Sequence, residues 1–244
     1  MKYFFPLFKR EFMGYFRSPV AYVFLVVFLV ASTGCAFFLG GFYENGQADL
    51  QTLFTFQPWL YLVLIPAVGM RLWAEERHSG TVELLFTLPV TMFEAVLAKF
   101  LAGWAFIGIA LLLTFPMFFT VNYLGSPDNG VIFASYIGSF LMAGAYLAIT
   151  CFTSAFTKNQ VISFILSVVI CFVLVLIGWG VFSSVLNEIL PTFLVDLIAS
   201  FGFVSHYQSM IRGLIDSRDV IYFLSVIATG LLLNVIVLDA KKAA

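Results

Sequence analysis

Six stretches of the chain carry no Asp, Glu, Lys or Arg: residues 18–43, 50–70, 100–127, 129–157, 159–187 and 220–238. Each is long enough to cross a bilayer, since a spanning helix needs about 20 mostly apolar residues. Lipid offers the backbone no hydrogen bonds, so a spanning segment must satisfy its own, as a helix does. The apolar–polar alternation of a membrane barrel is absent. The expectation is an all-α membrane protein, a bundle of six transmembrane helices forming one domain over residues 1–244.

Composition excludes the alternatives. Hydrophobic residues make up 62% of the chain, 30 of them Phe, and charged residues only 10%, where soluble domains average roughly 45–50% and about 25%. A soluble fold of this size could not hide so much apolar surface. Disorder needs low hydrophobicity and high charge. A net charge of −1 gives no basic field for nucleic acid. Cys35, Cys151 and Cys171 all sit in apolar runs and supply neither a disulfide framework nor metal spacing. His78 and His206 are too few for a multi-histidine metal site.

Six spans place both termini on one side. Ten basic residues (Lys2, Lys9, Arg10, Arg17, Arg71, Arg77, Lys99, Lys158, Lys241 and Lys242) fall on that side and only Arg212 and Arg218 opposite. Basic residues favour the cytoplasmic face, so both termini are expected there.

Local chemistry marks the boundaries. Ser18-Pro19 reads as an N-cap and first-turn proline. Thr91-Met-Phe-Glu94 reads as a capping box opening the third span. The stretch 125–130, Gly-Ser-Pro-Asp-Asn-Gly, is turn chemistry. Pro66 and Pro116 lie within spans and are expected to kink them. Trp59 and Trp179 suit the outer interface and Trp73 and Trp104 the inner one. Ser32-Thr33-Gly34-Cys35 is similar to a lipoprotein cleavage box, but Ser32 replaces the large aliphatic residue such a box wants and the apolar run continues past Cys35. A first transmembrane helix is the expectation there.

Three segments outside the spans carry information. In residues 1–17, Lys9, Arg10, Glu11, Gly14 and Arg17 share one helical side, and Phe8, Phe12, Tyr15 and Phe16 the other. That pattern predicts an amphipathic helix on the cytoplasmic leaflet, serving as an anchor or touching a partner. Residues 71–99 are the most charge-dense part of the chain. Gly80 is expected to stop the helix leaving the second span, and residues 81–88 to form a short helix ended by Pro89. Its Leu-Leu-Phe stretch faces the cytoplasm, which suits docking of a partner. Residues 188–219 are apolar, yet charges cut them into pieces too short to span. Short outer-leaflet or re-entrant helices are expected, as a lid or as packing.

Several chemistries are missing. No phosphate-binding loop of the form G-x-x-x-x-G-K-[ST] occurs, nor H-E-x-x-H, nor a G-x-S-x-G elbow. Glu75-Glu76 is similar to a paired-glutamate membrane protease motif, but Gly80 stands where that motif wants arginine. The span interiors hold no Asp, Glu, Lys or Arg, which argues against ion-coupled carriage and voltage sensing. Small residues along the fourth span (Ser135, Gly138, Ser139, Ala143, Gly144, Ala148) suit close helix contact, within the bundle or between subunits.

Pro58-Trp59-Leu60, the run 70–81 (Met-Arg-Leu-Trp-Ala-Glu-Glu-Arg-His-Ser-Gly-Thr), the run 83–91 and the run 212–224 together resemble the permease subunit of type-2 ABC exporters, in the branch of gliding-motility and copper-site-maturation operons. The resemblance runs essentially the whole length. It implies a bacterial inner-membrane permease, non-enzymatic, that pairs with a second permease chain, as homo- or heterodimer. It also implies a separate cytoplasmic ABC ATPase holding the ATP and magnesium, so this chain needs no cofactor of its own. By the same resemblance Glu75, Glu76, Arg77, His78, Ser79, Gly80, Thr81, Glu83, Leu84 and Leu85 form the ATPase-coupling surface, flanked by the leading helix with Lys9, Arg10 and Arg17. Two functional readings follow. One is ATP-driven export. The other is a mechanotransmission or scaffold subunit that pulls on a partner with a periplasmic domain and passes no substrate.

Overall fold

A computed structural model describes residues 4–44, 46, 48–80, 90–188 and 191–242, the side chains of Ser183, Val185 and Lys242 excepted. Among these residues the structure is helical and has no strand. The leading helix α1 (Phe4–Arg17) turns at Ser18 into α2 (Pro19–Gly34), whose last turn, Cys35–Leu39, widens into a π-helix. Three short helices follow: α3 (Gln51–Thr55), α4 (Gln57–Gly69) and α5 (Arg71–Ser79). Then come α6 (Met92–Leu112), α7 (Pro116–Leu124), α8 (Asn129–Phe156) and α9 (Gln160–Ile177). Three short helices, α10 (Gly180–Asn187), α11 (Thr192–Ala199) and α12 (Phe203–Ile211), precede the last, α13 (Ser217–Lys242).

Among the described residues, five helical stretches are long and apolar enough to cross a membrane: Pro19–Leu39, Met92–Leu124, Asn129–Phe156, Gln160–Ile177 and Ser217–Lys241. The second expected span is built in pieces. The uncharged run 50–70 is split at Phe56 into α3 and α4, and the charged α5 continues beyond it past Met70.

The expected caps form. Ser18 Oγ accepts from Val20 N at 3.3 Å ahead of Pro19. Thr91 Oγ1 accepts from Glu94 N at 3.3 Å while Glu94 Oε2 accepts from Thr91 N at 3.2 Å. Pro116 restarts the third span as α7 after α6 ends at Leu112. Pro66, by contrast, lies inside α4. The helix through Ser32–Cys35 runs on without a break to Leu39.

α8 is the central helix, packed against α13, α4, α9, α12, α6 and α5. Its small residues bring these neighbours close, which settles their place inside the bundle. A Cβ on Gly138 would lie 2.7 Å from Met210 Sδ of α12, and one on Gly144 2.9 Å from Trp104 and from Ile227. Gly230 of α13 lies against Ala148. The space between helices is filled by Tyr61, Tyr146, Phe106, Trp73 and Tyr207, all fully buried. The tyrosine hydroxyls among them are paired: Tyr61 OH lies 2.7 Å from Ser139 Oγ, Tyr146 OH donates to Pro58 O at 2.9 Å and Tyr207 OH donates to Phe54 O at 3.3 Å.

The segment from α10 to α12 lies partly in the bundle. Phe203, Val204, Tyr207, Met210 and Ile211 of α12 are buried, whereas α11 buries only Val195. Gly202 and Gly178 cross backbone to backbone. His206 ties the segment down: Nδ1 is 2.7 Å from Asp219 Oδ1, Nε2 is 2.8 Å from Ser200 O, and the ring stacks on Tyr222 with centroids 4.0 Å apart. Ser209 donates to the other Asp219 oxygen.

Trp59 and Trp179 meet edge to face at 5.6 Å, at one level of the bundle. Trp73 and Trp104 differ from the expected interfacial anchors. Trp73 is fully buried, and Trp104 stacks on Phe140 at 4.4 Å and donates to its carbonyl at 2.9 Å.

Candidate functional site

The charged segment begins as α5, the continuation of α4 beyond Met70. Leu72, Trp73 and Ala74 are buried and press α5 onto α8. Ser154 Oγ of α8 accepts from Trp73 N and Ala74 N, each at 3.0 Å, and donates to Met70 O at 2.8 Å. One hydroxyl thus serves the junction of α4 and α5 and fixes it to α8. Arg77 Nη1 donates to Ala155 O at 2.5 Å, at the last turn of α8. The helix ends at Gly80 with φ +73°, the left-handed conformation that glycine adopts without a Cβ penalty.

Glu76 points the other way, to Lys99 of α6. Lys99 Nζ is 2.8 Å from Glu76 Oε1 and 3.0 Å from Glu11 Oε2 of α1, and 5.2 Å from the centre of the Trp73 ring. Its side chain is 3% exposed, against 23% for Glu76 and 17% for Glu11. One ammonium therefore joins three helices, α1, α5 and α6. Arg10 adds a further cation, 2.6 Å from Glu11 Oε1. Burial raises the pKa of the Glu11 carboxyl, but Lys99 and Arg10 outweigh that and hold it below its ordinary value.

α1 docks along the same edge. Phe4, Phe8, Phe12 and Phe16 form a ladder with successive centroids 6.4, 5.8 and 5.3 Å apart. Tyr15 stacks on Phe106 of α6 at 4.9 Å. The amphipathic helix is therefore packed on the bundle through its aromatic side. Lys9, Arg10 and Arg17 are exposed.

The residues singled out in the sequence thus divide. Glu75, His78, Ser79 and Gly80 are exposed, with Ser79 Oγ donating to Glu75 O at 2.9 Å. Glu76 and Arg77 turn inward and anchor the segment. Thr81, Glu83, Leu84 and Leu85 lie outside the described residues, as does the short helix expected over residues 81–88. Sequence reasoning missed Lys99 and Glu11, having read Lys99 only as the charge before the third span. The signal was present: a capping box at Thr91 starts the helix well ahead of Lys99, which places that lysine on an apolar helix where it needs a partner. Ser154 and Ala155 left no signal, since their part depends on which helix α5 packs against. No group of three metal-ligating side chains occurs among the described residues.

A bundle of long apolar helices, one end of which presents a charged helix clamped to three neighbours, is the architecture of a multi-pass membrane protein. The chain belongs to the ABC-2 family transporter proteins, whose profile matches residues 6–238, and it is accordingly a permease subunit of an ABC transporter. A search of curated proteins gave no match.

Proposed function

We propose that this permease converts ATP hydrolysis by a separate cytoplasmic ATPase into export, or into movement at the outer face, with the ATPase docking at the end of α5. The observation that carries this reading is the triple attachment of α5. Ser154 and Ala155 tie it to α8, and the Lys99 ion cluster ties it to α6 and α1. A force on the exposed His78–Ser79–Gly80 end is then delivered to the central helix and to two neighbours together. The bulk of basic residues on the side of α5 supports a cytoplasmic location for this end and for both termini, in a bacterial inner membrane. A second permease chain, identical or related, completes the assembly.

A mechanotransmission role with a periplasmic-domain partner is favoured by one further observation. The interior of the single bundle is filled by Tyr61, Trp73, Phe106 and Tyr146, so any path for cargo has to run beside the bundle rather than through it.

The test is purification of the tagged chain from its native membrane. A co-purifying subunit with a phosphate-binding loop, and ATP hydrolysis by the complex but not by the chain alone, is expected. Hydrolysis by the pure chain, or a native complex without any nucleotide-binding subunit, refutes the reading.

A further inference from the structure

A groove of about 550 Å³ runs between α1–α2 on one side and α4–α5 on the other, within the roughly 300–1,000 Å³ typical of ligand sites. It is graded in polarity along its length. One end is walled by Val23, Phe24 and Val27 of α2 and Leu64 and Val68 of α4. The other end, beneath the turn at Ser18, is walled by Arg71, Glu75, Glu76, Lys99 and Glu11. Val20, Val23 and Val27 are exposed along its rim, so the groove opens toward the lipid.

We infer that this groove binds one zwitterionic glycerophospholipid of the ethanolamine type, acyl chain along α2 and α4, phosphate at Arg71 and ammonium at Glu75. The argument rests on charge. Lys99 is occupied by Glu11 and Glu76. Arg71 is exposed and has no acidic partner within salt-bridge distance among the described residues, and neither does Glu75 have a basic one. The two are one helical turn apart on α5, so they offer one positive and one negative site to a single head group. Phosphate takes the guanidinium through paired N–H donors, and the ammonium takes the carboxylate. An anionic head group without an amine would meet Arg71 but also the Glu75 carboxylate, with nothing to neutralise it. The α1–α2 turn lies where an interfacial helix meets a span, which is the depth of a head group. The apolar end adds no preference among lipids, because lipid tails are as apolar as the valines that line it. Selectivity therefore comes from the head group, and the site does not depend on the presence of an ATPase.

The test is native mass spectrometry of the delipidated, detergent-solubilised full chain titrated with phosphatidylethanolamine and, separately, with phosphatidylglycerol. One tightly held phosphatidylethanolamine per chain is expected, favoured over phosphatidylglycerol by about tenfold, the scale of one charge-assisted hydrogen bond. Arg71→Gln and Glu75→Gln should each weaken phosphatidylethanolamine retention by a similar factor, and Glu75→Gln should in addition narrow the gap to phosphatidylglycerol. Val23→Trp, on the exposed face of α2, should block the acyl end and abolish retention while leaving both charges in place. Equal retention of the two lipids by the wild-type chain, or unchanged retention in all three variants, overturns the proposal.

Discussion

Replacing Lys99 by Met isolates what the ion cluster does. Met keeps the length and the packing against Trp73 but removes the cation shared by Glu11 and Glu76. Stripping one partner from a buried ion pair costs about 3–5 kcal/mol, mainly as the penalty on the charges left behind. Glu11 and Glu76 keep 17% and 23% exposure, so some water reaches them, and Arg10 still holds Glu11; the expected loss is at the lower end, about 3 kcal/mol. Glu76→Gln should cost less, about 1 kcal/mol, because Lys99 retains Glu11 and the amide still accepts a hydrogen bond. The triple variant with Lys99→Met, Glu11→Gln and Glu76→Gln should regain most of the loss, since no unpaired charge remains. The measurement is denaturant unfolding of the detergent-solubilised protein followed by circular dichroism, with the three variants on one scale. A Lys99→Met variant within about 0.5 kcal/mol of wild type, the range of an ordinary surface substitution, would refute the clamp. A triple variant as weak as the single one would show that the loss came from packing and not from charge.

The remaining predictions concern pH and backbone contact. Because the folded Glu11 carboxyl titrates below its ordinary value of 4.5, its contribution to holding α1 is present above that pH and disappears as pH falls below it through the folded value; limited proteolysis near Arg17 should rise on acidification in wild type and be pH-independent over that window in Glu11→Gln. At Gly202 an added Cβ would sit 2.2 Å from the Cα of Gly178, so Gly202→Ala should destabilise by about 1–3 kcal/mol, whereas Gly180→Ala, with nothing within 4 Å, should leave the unfolding midpoint unchanged or slightly raised; equal midpoints for the two variants would disprove the close crossing.

Membership of a helical membrane class was legible from residue order alone, because it depends on runs of uncharged residues and bilayer thickness, and neither needs a partner segment. The caps at Ser18 and Thr91 and the stop at Gly80 were equally legible, since each is satisfied within a few residues of itself. The second span was less so: hydropathy over residues 50–70 is continuous, yet the backbone breaks it into α3 and α4 and carries the helix on through α5. What packs beside a helix is a long-range matter. Nothing near Trp73 in the chain says that it is buried against α8 rather than set at the interface. The small residues of α8 announced close contact but not with whom, and only the assembled bundle put Met210, Trp104 and Ile227 against them. The candidate site shows the same division. Its location on residues 71–80 follows from charge density. Its inward half follows from tertiary structure, which brings Glu11 and Lys99 together from 88 residues apart and sets Glu76 against the same ammonium. A buried cation needs counter-charges from wherever the fold can supply them, and local sequence carries no record of which ones those are.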